Sequence, residues 1–375
     1  MLNAVSSRLC CPIRLRASWA GWPSYAPTWF ATSAISRAVT FAQQALDLLP
    51  AADTIARAPA RIGVARSYLV SGDVTPATER LAAAAVAPAR ASGNLLAFLA
   101  SVTNLARLQV LQGRLRQAAA TFHEATQLAP GAGRLQALVG SPAYYFGLGD
   151  LLREWNDLDA AQYHVTQGME LVGGTLAVDA DVVTLGYVAL AHVQHARGDT
   201  SGALATLEQF ANLARRRNFV AQLIACGVAA QVQLWLAQGQ LAAAARWVEA
   251  SGLHADDREL PFLREAEYLT FARVQVALQR DGAARQALPD IVPLLDRLQV
   301  GAEANGRMDS VIEILVVRAL ALGAQGELTE ALSALERALN LAEPEGYVRT
   351  FVDEGPPMAS STYRAACRPS FARVS

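Results

Sequence analysis

The residues best suited to metal chemistry are His123 and the closely spaced pair His192 and His195. His123 opens the run HEATQ, which matches the zinc-protease pattern H-E-x-x-H except that Gln127 replaces the second histidine. That replacement removes the chelate, because such a site needs two imidazoles on one helix face. His192 and His195 are three residues apart and could share a metal, but no third ligand is spaced to join them. We interpret His123 as part of a surface helix and the other two as solvated histidines near a helix C-terminus.

Phosphate-binding and nucleophilic motifs are incomplete as well. The chain contains no lysine, and all 32 basic residues are arginine. A P-loop of the usual type needs a lysine for the β- and γ-phosphates, and a Schiff-base enzyme needs a lysine amine. Ser, His and Asp residues occur without a G-x-S-x-G elbow. We therefore expect that the protein is not an enzyme, with no catalytic residue, no cofactor and no metal.

The densest basic cluster is the run ARRRN at residues 214–218. Its three arginines end a helical pattern, where they would face the unpaired carbonyls of the last turn. A nucleic-acid contact is the alternative, but no aromatic residues are interleaved with the arginines. The net charge of −1 also argues against a chain built mainly to neutralise phosphates. We expect no direct DNA binding from this chain.

The composition is typical of closely packed helices. Hydrophobic residues make up 53% of the 375 residues, charged residues only 17%, and alanine-rich runs are long. No stretch approaches 18 uninterrupted apolar residues, so we expect no membrane span. Reduced thiols in a cytoplasmic protein are the plain interpretation of four cysteines without C-x-x-C or metal-ligand spacing. The cysteines are Cys10, Cys11, Cys226 and Cys367.

The two ends of the chain differ from its middle. Residues 1–34 contain three of the six tryptophans and no acidic residue. Residues 359–375 are also free of acidic residues and contain three arginines. We interpret both ends as disordered or non-native sequence, and residues 35–358 as one helical-repeat domain.

Between the ends the sequence repeats with a period of about 42 residues. A glycine or polar residue that interrupts the helical pattern recurs with gaps of 41, 43, 42, 41, 40 and 47 residues. Glycine and asparagine accept the left-handed backbone conformation that ends a helix. We therefore place the turn between the two helices of each unit at these breaks: Gly72, Gly113, Asn156, Gly198, Gly239, Gln279 and Gly326.

The same residue types recur at fixed distances from each break. Seven positions before it, mostly small residues stand: Ala65, Ala106, Gly149, Ala191, Val232, Ala272 and Ala319. Five positions after it, every unit has alanine: Ala77, Ala118, Ala161, Ala203, Ala244, Ala284 and Ala331. Nine positions after it, the residue is apolar: Leu81, Phe122, Val165, Leu207, Val248, Leu288 and Leu335. Each unit is thus predicted to be an antiparallel helix pair with two apolar seams, so units must stack to bury both.

The sixth unit matches this pattern least well. Pro289 and Pro293 fall in its second helix. Proline removes a backbone donor and clashes with the preceding turn, so we expect that helix to be kinked or interrupted.

The pattern resembles the tetratricopeptide repeat, with longer units. Its most specific part is the run EILVVRALALGAQGELTEALSALERALNLAEPEGYVRTFVDEGPPMA at residues 313–359. This run resembles the end of the helical-repeat region in large LuxR-type, MalT-like transcriptional regulators, and so does GDLLREWNDLDAAQYHVTQGMEL at residues 149–171. The resemblance covers roughly residues 37–359 and implies an all-α fold. We expect a right-handed superhelical solenoid of about seven tetratricopeptide-like helix pairs.

The resemblance also implies a function. In that family an ATPase module with a P-loop precedes the repeat region, and a helix-turn-helix that binds DNA follows it. We expect neither module here, because the chain has no lysine and only 16 residues follow Ala359. The chain is then predicted to be a cytoplasmic sensor or interaction region that binds an inducer small molecule or a regulatory protein on its concave surface and relays occupancy. The alternative is a stand-alone scaffold for protein–protein interaction.

The sequence does not assign the binding residues. Tyr68, Tyr145, Tyr187 and Trp235 lie on first helices of units and could line the concave surface, although packing between helices explains them at least as well. At the end of the array, Tyr347 and Phe351 are four residues apart. We expect them to cover the exposed face of the last helix pair, as a terminal repeat requires.

Overall fold

The fold is described by a computed structural model over residues 40–50, 53–127, 142–174, 178–282, 290–356 and 358. The segments 1–34 and 359–375, which we predicted to be disordered or non-native, lie outside these residues. So do Ala284, Leu288 and Pro289 of the sixth unit and three of the four cysteines.

All regular elements within the described ranges are helical. The seven predicted units are present as helix pairs: α2 (Thr54–Ser71) with α3 (Pro76–Ala91), α4 (Leu95–Leu111) with α5 (Leu115–Gln127), α6 (Pro142–Glu154) with α7 (Leu158–Gly174), α8 (Ala180–Ala196) with α9 (Thr200–Arg216), α10 (Ala221–Ala237) with α11 (Leu241–Ser251), α12 (Glu265–Asp281) with α13 (Val292–Ala304), and α14 (Met308–Gln325) with α15 (Leu328–Ala342). The other elements are α1 at residues 40–48, two 3-10 turns at Phe262–Arg264 and Glu343–Glu345, and the short α16 (Arg349–Val352).

Left-handed residues form the turn inside each pair, as predicted for six of the seven breaks. Their φ angles lie between 62° and 89°: Gly72, Gly113, Asn156, Gly198, Gly239 and Gly326. In the sixth unit the predicted break at Gln279 was wrong, because α12 continues to Asp281 and ends at Gly282 with a φ of 65°. The kink or interruption predicted from Pro293 was wrong: Pro293 stands in the first turn of α13, where a helix tolerates proline, and the helix continues unbroken to Ala304.

The small residues of the repeat lie where two helices approach closely. The position seven before the break is buried in every unit. Ala118, Ala161 and Ala203, five after the break, have no exposed surface. The first unit departs from the pattern, because α3 begins four residues after Gly72 whereas α5 begins two after its break. The buried face there shifts by one residue, and Leu81 is 47% exposed.

Glycines face large aromatic rings at the boundaries between units. Phe146 of α6 is fully buried. A Cβ added to Gly168 of α7 or to Gly186 of α8 would lie 2.4 Å or 2.3 Å from that ring. Such contacts are shorter than packed atoms tolerate, so the ring and the two glycines require one another.

The stacked pairs close into a circuit. Each first helix packs against the first helix of the next unit, from α2 through to α14. Helix α14 also packs against α4, and the 3-10 turn before α12 packs against α2. At the seam where the first unit meets the sixth and seventh units, the backbone of Val74 donates a hydrogen bond to the carbonyl of Asn305, which caps α13, at 3.0 Å. The Gln112 side chain donates to the Val74 carbonyl at 2.7 Å.

Arg307 is the central residue of this seam. Its side chain is 6% exposed, and it pairs with Glu265 at 3.0 Å. It also donates to the carbonyl of Gly72 at 3.0 Å, and its guanidinium lies 4.9 Å from the centre of the Phe262 ring. The second oxygen of Glu265 accepts a hydrogen bond from Ser310 at 2.5 Å. Arg307 thereby connects the first, sixth and seventh units through one enclosed charge.

We predict that Arg307→Met lowers the free energy of unfolding by about 3–5 kcal/mol, because it leaves the Glu265 carboxylate buried without its partner. The double variant R307M/E265Q should lose less, since it also removes that stranded charge. Urea denaturation at neutral pH, followed by circular dichroism, measures both values.

The matched control is Arg337→Met, which breaks a pair with Glu303 in which the arginine side chain is 51% exposed. Exposed pairs contribute at most about 1 kcal/mol. Equal losses for R307M and R337M would contradict the role assigned to Arg307.

Candidate functional site on the inner surface of the circuit

Polar side chains recur at one position of the first helices. This position directly follows the buried small residue, and it is polar in six of the seven units: Arg66, Arg107, Asp150, His192, Gln233 and Arg273. All six residues are partly enclosed rather than fully exposed. In helices as apolar as these, a repeated polar position marks a distinct face. We call this face, together with the ionisable residues Arg153, Glu154 and Asp309 that interact with Asp150, the inner surface.

Two of these side chains make contacts with other units. Arg66 of the first unit lies 2.5 Å from Asp179 and 2.6 Å from Asp181, at the start of α8 in the fourth unit. Gln233 donates to Thr270 of the next first helix at 3.0 Å. Since these contacts join different units, the inner surface is shared by the whole array.

Arg153 organises one end of the inner surface. Its guanidinium contacts Asp150 at 3.0 Å, Asp353 at 3.2 Å and Glu154 at 3.4 Å. Burial alone would lower the pKa of Arg153, but the three carboxylates outweigh burial and the pKa lies above its ordinary value. Burial also disfavours the ionised form of Asp150, yet Arg153 holds the pKa of that carboxyl below its usual range.

His192 is enclosed near the same arginine, so our interpretation of it as a solvated histidine was wrong. Burial, with the positive charge of Arg153 as the second cause, lowers the pKa of His192 to about 4. The imidazole is therefore neutral at pH 7. His195 lies one turn further along α8, with its Nδ1 2.9 Å from the hydroxyl of Thr200. The sequence placed these residues correctly at a helix end but did not show that other units cover that end.

Asp309 is the most perturbed carboxyl of the inner surface. It accepts a hydrogen bond from the Tyr347 hydroxyl at 2.8 Å. Burial raises the pKa of Asp309 to about 8, against the effect of that hydrogen bond and with added repulsion from Glu313, Glu154 and Asp150. At neutral pH this side chain is mostly a neutral acid.

The segment after α15 lies across the inner surface. We call residues 346–356 and 358 the strap. The backbone amides of Val348 and Thr350 donate to Oε1 of Glu154 at 3.2 Å and 2.9 Å. Glu354 accepts from Nε of Arg273 at 2.7 Å. The strap therefore touches the third, sixth and seventh units at once.

The aromatic pair of the strap does more than we predicted. Tyr347 and Phe351 do pack on Ala342 of the last pair, as expected. The same cluster also contains Leu115 of the second unit and Trp155 of the third. The indole of Trp155 donates to the Glu345 carbonyl at 2.9 Å. The pair thus connects the last unit to early ones, because the array closes.

Three of the four aromatic residues proposed from the sequence pack between helices. Tyr145 lies 6.1 Å from His164 of α7 between ring centres, and Tyr187 of α8 lies 5.8 Å from Phe210 of α9. Trp235 packs against the apolar cluster between the fifth and sixth units. Sequence reasoning missed the charged residues of the inner surface instead. The polar position that follows each small residue was the available signal.

The remaining sequence candidates lie away from the inner surface or make ordinary contacts. Arg215 of the ARRRN run donates to the Ala211 carbonyl at 3.2 Å, as a helix-end arginine should. Cys226 is a free thiol, and burial raises its pKa to about 11. Among the described residues no three His, Cys, Asp or Glu side chains form a group able to hold a metal. No helix in the described part of the chain is long and apolar enough to cross a membrane.

We predict that Asp309→Asn raises the melting temperature more at pH 9 than at pH 5.5. The carboxyl titrates near 3.9 in an unfolded chain and at about 8 in the folded one, so only the folded state holds the proton between these values. The free energy of unfolding must then fall as the pH rises from about 4 to about 8, and it levels off above the folded pKa. Asparagine at position 309 keeps an oxygen that accepts the hydrogen bond from Tyr347, but it has no proton to lose in this pH range. Thermal unfolding of both proteins at the two pH values measures the difference.

The control is Asp256→Asn, which alters an exposed carboxyl. It should change the melting temperature equally at both pH values. An Asp309→Asn variant that gains nothing at pH 9 would contradict the buried-acid assignment.

Comparison with known proteins agrees with this architecture. A family model of the MalT-like TPR region matches residues 24–365. Two curated relatives, both named HTH-type transcriptional regulator MalT, come from Klebsiella pneumoniae strain 342 and from Klebsiella pneumoniae subsp. pneumoniae strain ATCC 700721 / MGH 78578. Each is 26% identical over 262 residues, which is 69% of this chain and 27% of the relative. The chain thus spans about a quarter of the length of these relatives, and it belongs to the family of MalT-like TPR regions found in transcriptional regulators.

Proposed function

We propose that this chain is the sensor region of a LuxR-family transcriptional regulator. It binds an inducer small molecule or a partner protein on the inner surface and relays occupancy of that surface through the packing between units. The observation that carries this proposal is the set of charged and polar side chains enclosed by otherwise apolar first helices. Membership of the MalT-like family supports the same assignment.

A purely structural array would have little use for these side chains. Enclosing a charge costs free energy unless it is paired, and apolar residues of similar volume are often neutral or more stable. Yet Arg153 and Arg273 are only 12% and 11% exposed at their side chains. Clusters of perturbed groups such as His192 and Asp309 are concentrated at functional sites in general. This supports recognition as the reason for the polar inner surface.

The closed circuit supports a relay of binding. Each first helix contacts its neighbours on both sides, and Arg307 joins the two ends of the array. A ligand that binds one arrangement of the first helices better than another shifts the population toward it. The shift then reaches the whole circuit, because no unit can move without changing its contacts with the next.

A stand-alone scaffold that holds a partner peptide is the second candidate. The strap favours it, since a peptide segment does lie on the inner surface. Both candidates place the binding event on the same residues, and they differ in whether an output module responds.

Thermal unfolding in the presence of a panel of sugars, amino acids and nucleotides tests the proposal. A ligand that binds the folded state raises the melting temperature according to its concentration over its Kd. We expect at least one compound to stabilise the parent protein and His254→Ala but not His192→Ala. His254 is exposed in the loop after α11 and provides a matched histidine control. Compounds that stabilise both variants equally would place binding away from the inner surface and contradict the proposal.

A further inference from the structure

Side chains of the inner surface hold the strap through hydrogen bonds to its backbone amides and ion pairs with its carboxylates. Glu154 is 6% exposed, and one of its oxygens accepts hydrogen bonds from two strap amides, those of Val348 and Thr350. Hydrogen bonds to a carboxylate are about twice as strong as neutral ones. A carboxylate that satisfies two backbone amides of another segment is a typical means of binding a peptide.

Two adjacent carboxylates of the strap meet two enclosed arginines. Asp353 lies 3.2 Å from Nη1 of Arg153. Glu354 accepts a hydrogen bond from Nε of Arg273 at 2.7 Å and lies 2.6 Å from its Nη2. The two arginines belong to the third and sixth units, so the acidic pair bridges two distant first helices.

Apolar contacts fix the register of the strap. Tyr347 is 7% exposed and Met358 is 1% exposed. Phe351 packs against both the last-unit core and the cluster around Trp155. The hydroxyl of Tyr347 also donates to Asp309, as described above. The spacing of these anchors gives the strap a specific sequence requirement.

The strap has little structure of its own. Helix α16 has four residues and no fully buried residue, and Val352 is 54% exposed. Its order therefore depends on the surface beneath it. A segment with little secondary structure of its own, whose order comes from side-chain contacts with the surface beneath, opens at a lower free-energy cost than packed helix pairs.

We infer that the inner surface is a peptide-recognition surface and that the strap is its built-in ligand. The inference rests on the proposed function, because it names what controls access to the same surface. A partner segment with the pattern Y-x-x-x-F-x-D-E, read from residues 347–354, makes the same contacts and replaces the strap. Until such a segment arrives, the strap keeps the surface occupied.

Competition between the two peptides has a measurable consequence. The strap follows α15 almost directly, so its effective concentration at the surface is on the order of millimolar. A free peptide of the same sequence must displace it. Changes that weaken the strap and leave the surface intact should therefore strengthen binding of the free peptide.

The experiment uses a fluorescein-labelled peptide of residues 343–358 and fluorescence anisotropy. The full chain carrying Phe351→Ala and Glu354→Gln should bind this peptide at least about tenfold more tightly than the parent does. Adding Arg273→Gln to this strap variant should weaken its binding of the peptide about tenfold, because Glu354 of the peptide loses its arginine partner. The control variant V352A/E259Q makes the same kinds of change at exposed positions and should bind as the parent does.

Equal affinity for the parent and the strap variant would overturn the inference. Binding that ignores Arg273→Gln would overturn it too, and so would absence of binding to the strap variant. If that variant does not fold, hydrogen exchange of the parent decides: amides of residues 348–352 should exchange at least about tenfold faster than those of α14. Exchange of the strap only together with α14 would make it a fixed part of the core and would overturn the inference.

Failure of this inference is distinguishable from failure of the proposed function. The small-molecule panel depends on His192 and needs no peptide, whereas the anisotropy measurement needs no inducer. One possible outcome is a compound whose stabilising effect depends on His192 and a strap that no peptide displaces. That outcome would support the sensor assignment and contradict only the inference that the inner surface recognises a peptide.

Discussion

The enclosed guanidinium of Arg307 sets the conditions for everything on the inner surface. Stacking of repeats is governed by contacts between neighbours, and such contacts alone allow an open array of any curvature. Arg307, at the start of the seventh unit, adds contacts with Gly72 of the first unit and Glu265 of the sixth. Closure then covers faces that would otherwise meet water. Burial also lowers the pKa of His192 and raises that of Asp309, in surroundings that include Arg153 of the third unit and residues of the strap.

The helix pairs could be predicted from the sequence because their turns and close contacts involve residues that are near one another in the chain. Left-handed breaks and small residues must recur wherever two helices meet, so the seven pairs and most buried alanines could be predicted. The errors arose where loop length changes the phase. Helix α3 begins late, which turns Leu81 outward, and α12 runs on to Gly282 although Gln279 matched the period. A fixed spacing in the sequence cannot register such local shifts.

The inner surface was harder to predict because its contacts are distant in sequence. Glu154 and Thr350 are separated by 196 residues, and Arg307 and Gly72 by 235. No periodic pattern encodes which units meet when the array closes. The polar residue that follows the small residue of most first helices can be found in the sequence. In an open array, however, these polar residues would simply form a face exposed to water. The same reasoning assigned Tyr347 and Phe351 to the last pair alone, when closure also brings Leu115 against them.

Each of the two arginines beneath the strap, Arg153 and Arg273, pairs both with a strap carboxylate and with carboxylates outside the strap. The strap can therefore leave without depriving either arginine of every partner. Arg153 keeps Asp150 and Glu154 when Asp353 departs, and Arg273 keeps Glu313 when Glu354 departs. Removing the only partner of a buried charge costs about 3–5 kcal/mol, whereas a shared charge retains most of its compensation. The departing carboxylates return to water, where they are well solvated. An inner surface built from shared pairs can therefore exchange one occupant for another without stranding a charge, which a seam built on Arg307 and Glu265 cannot do.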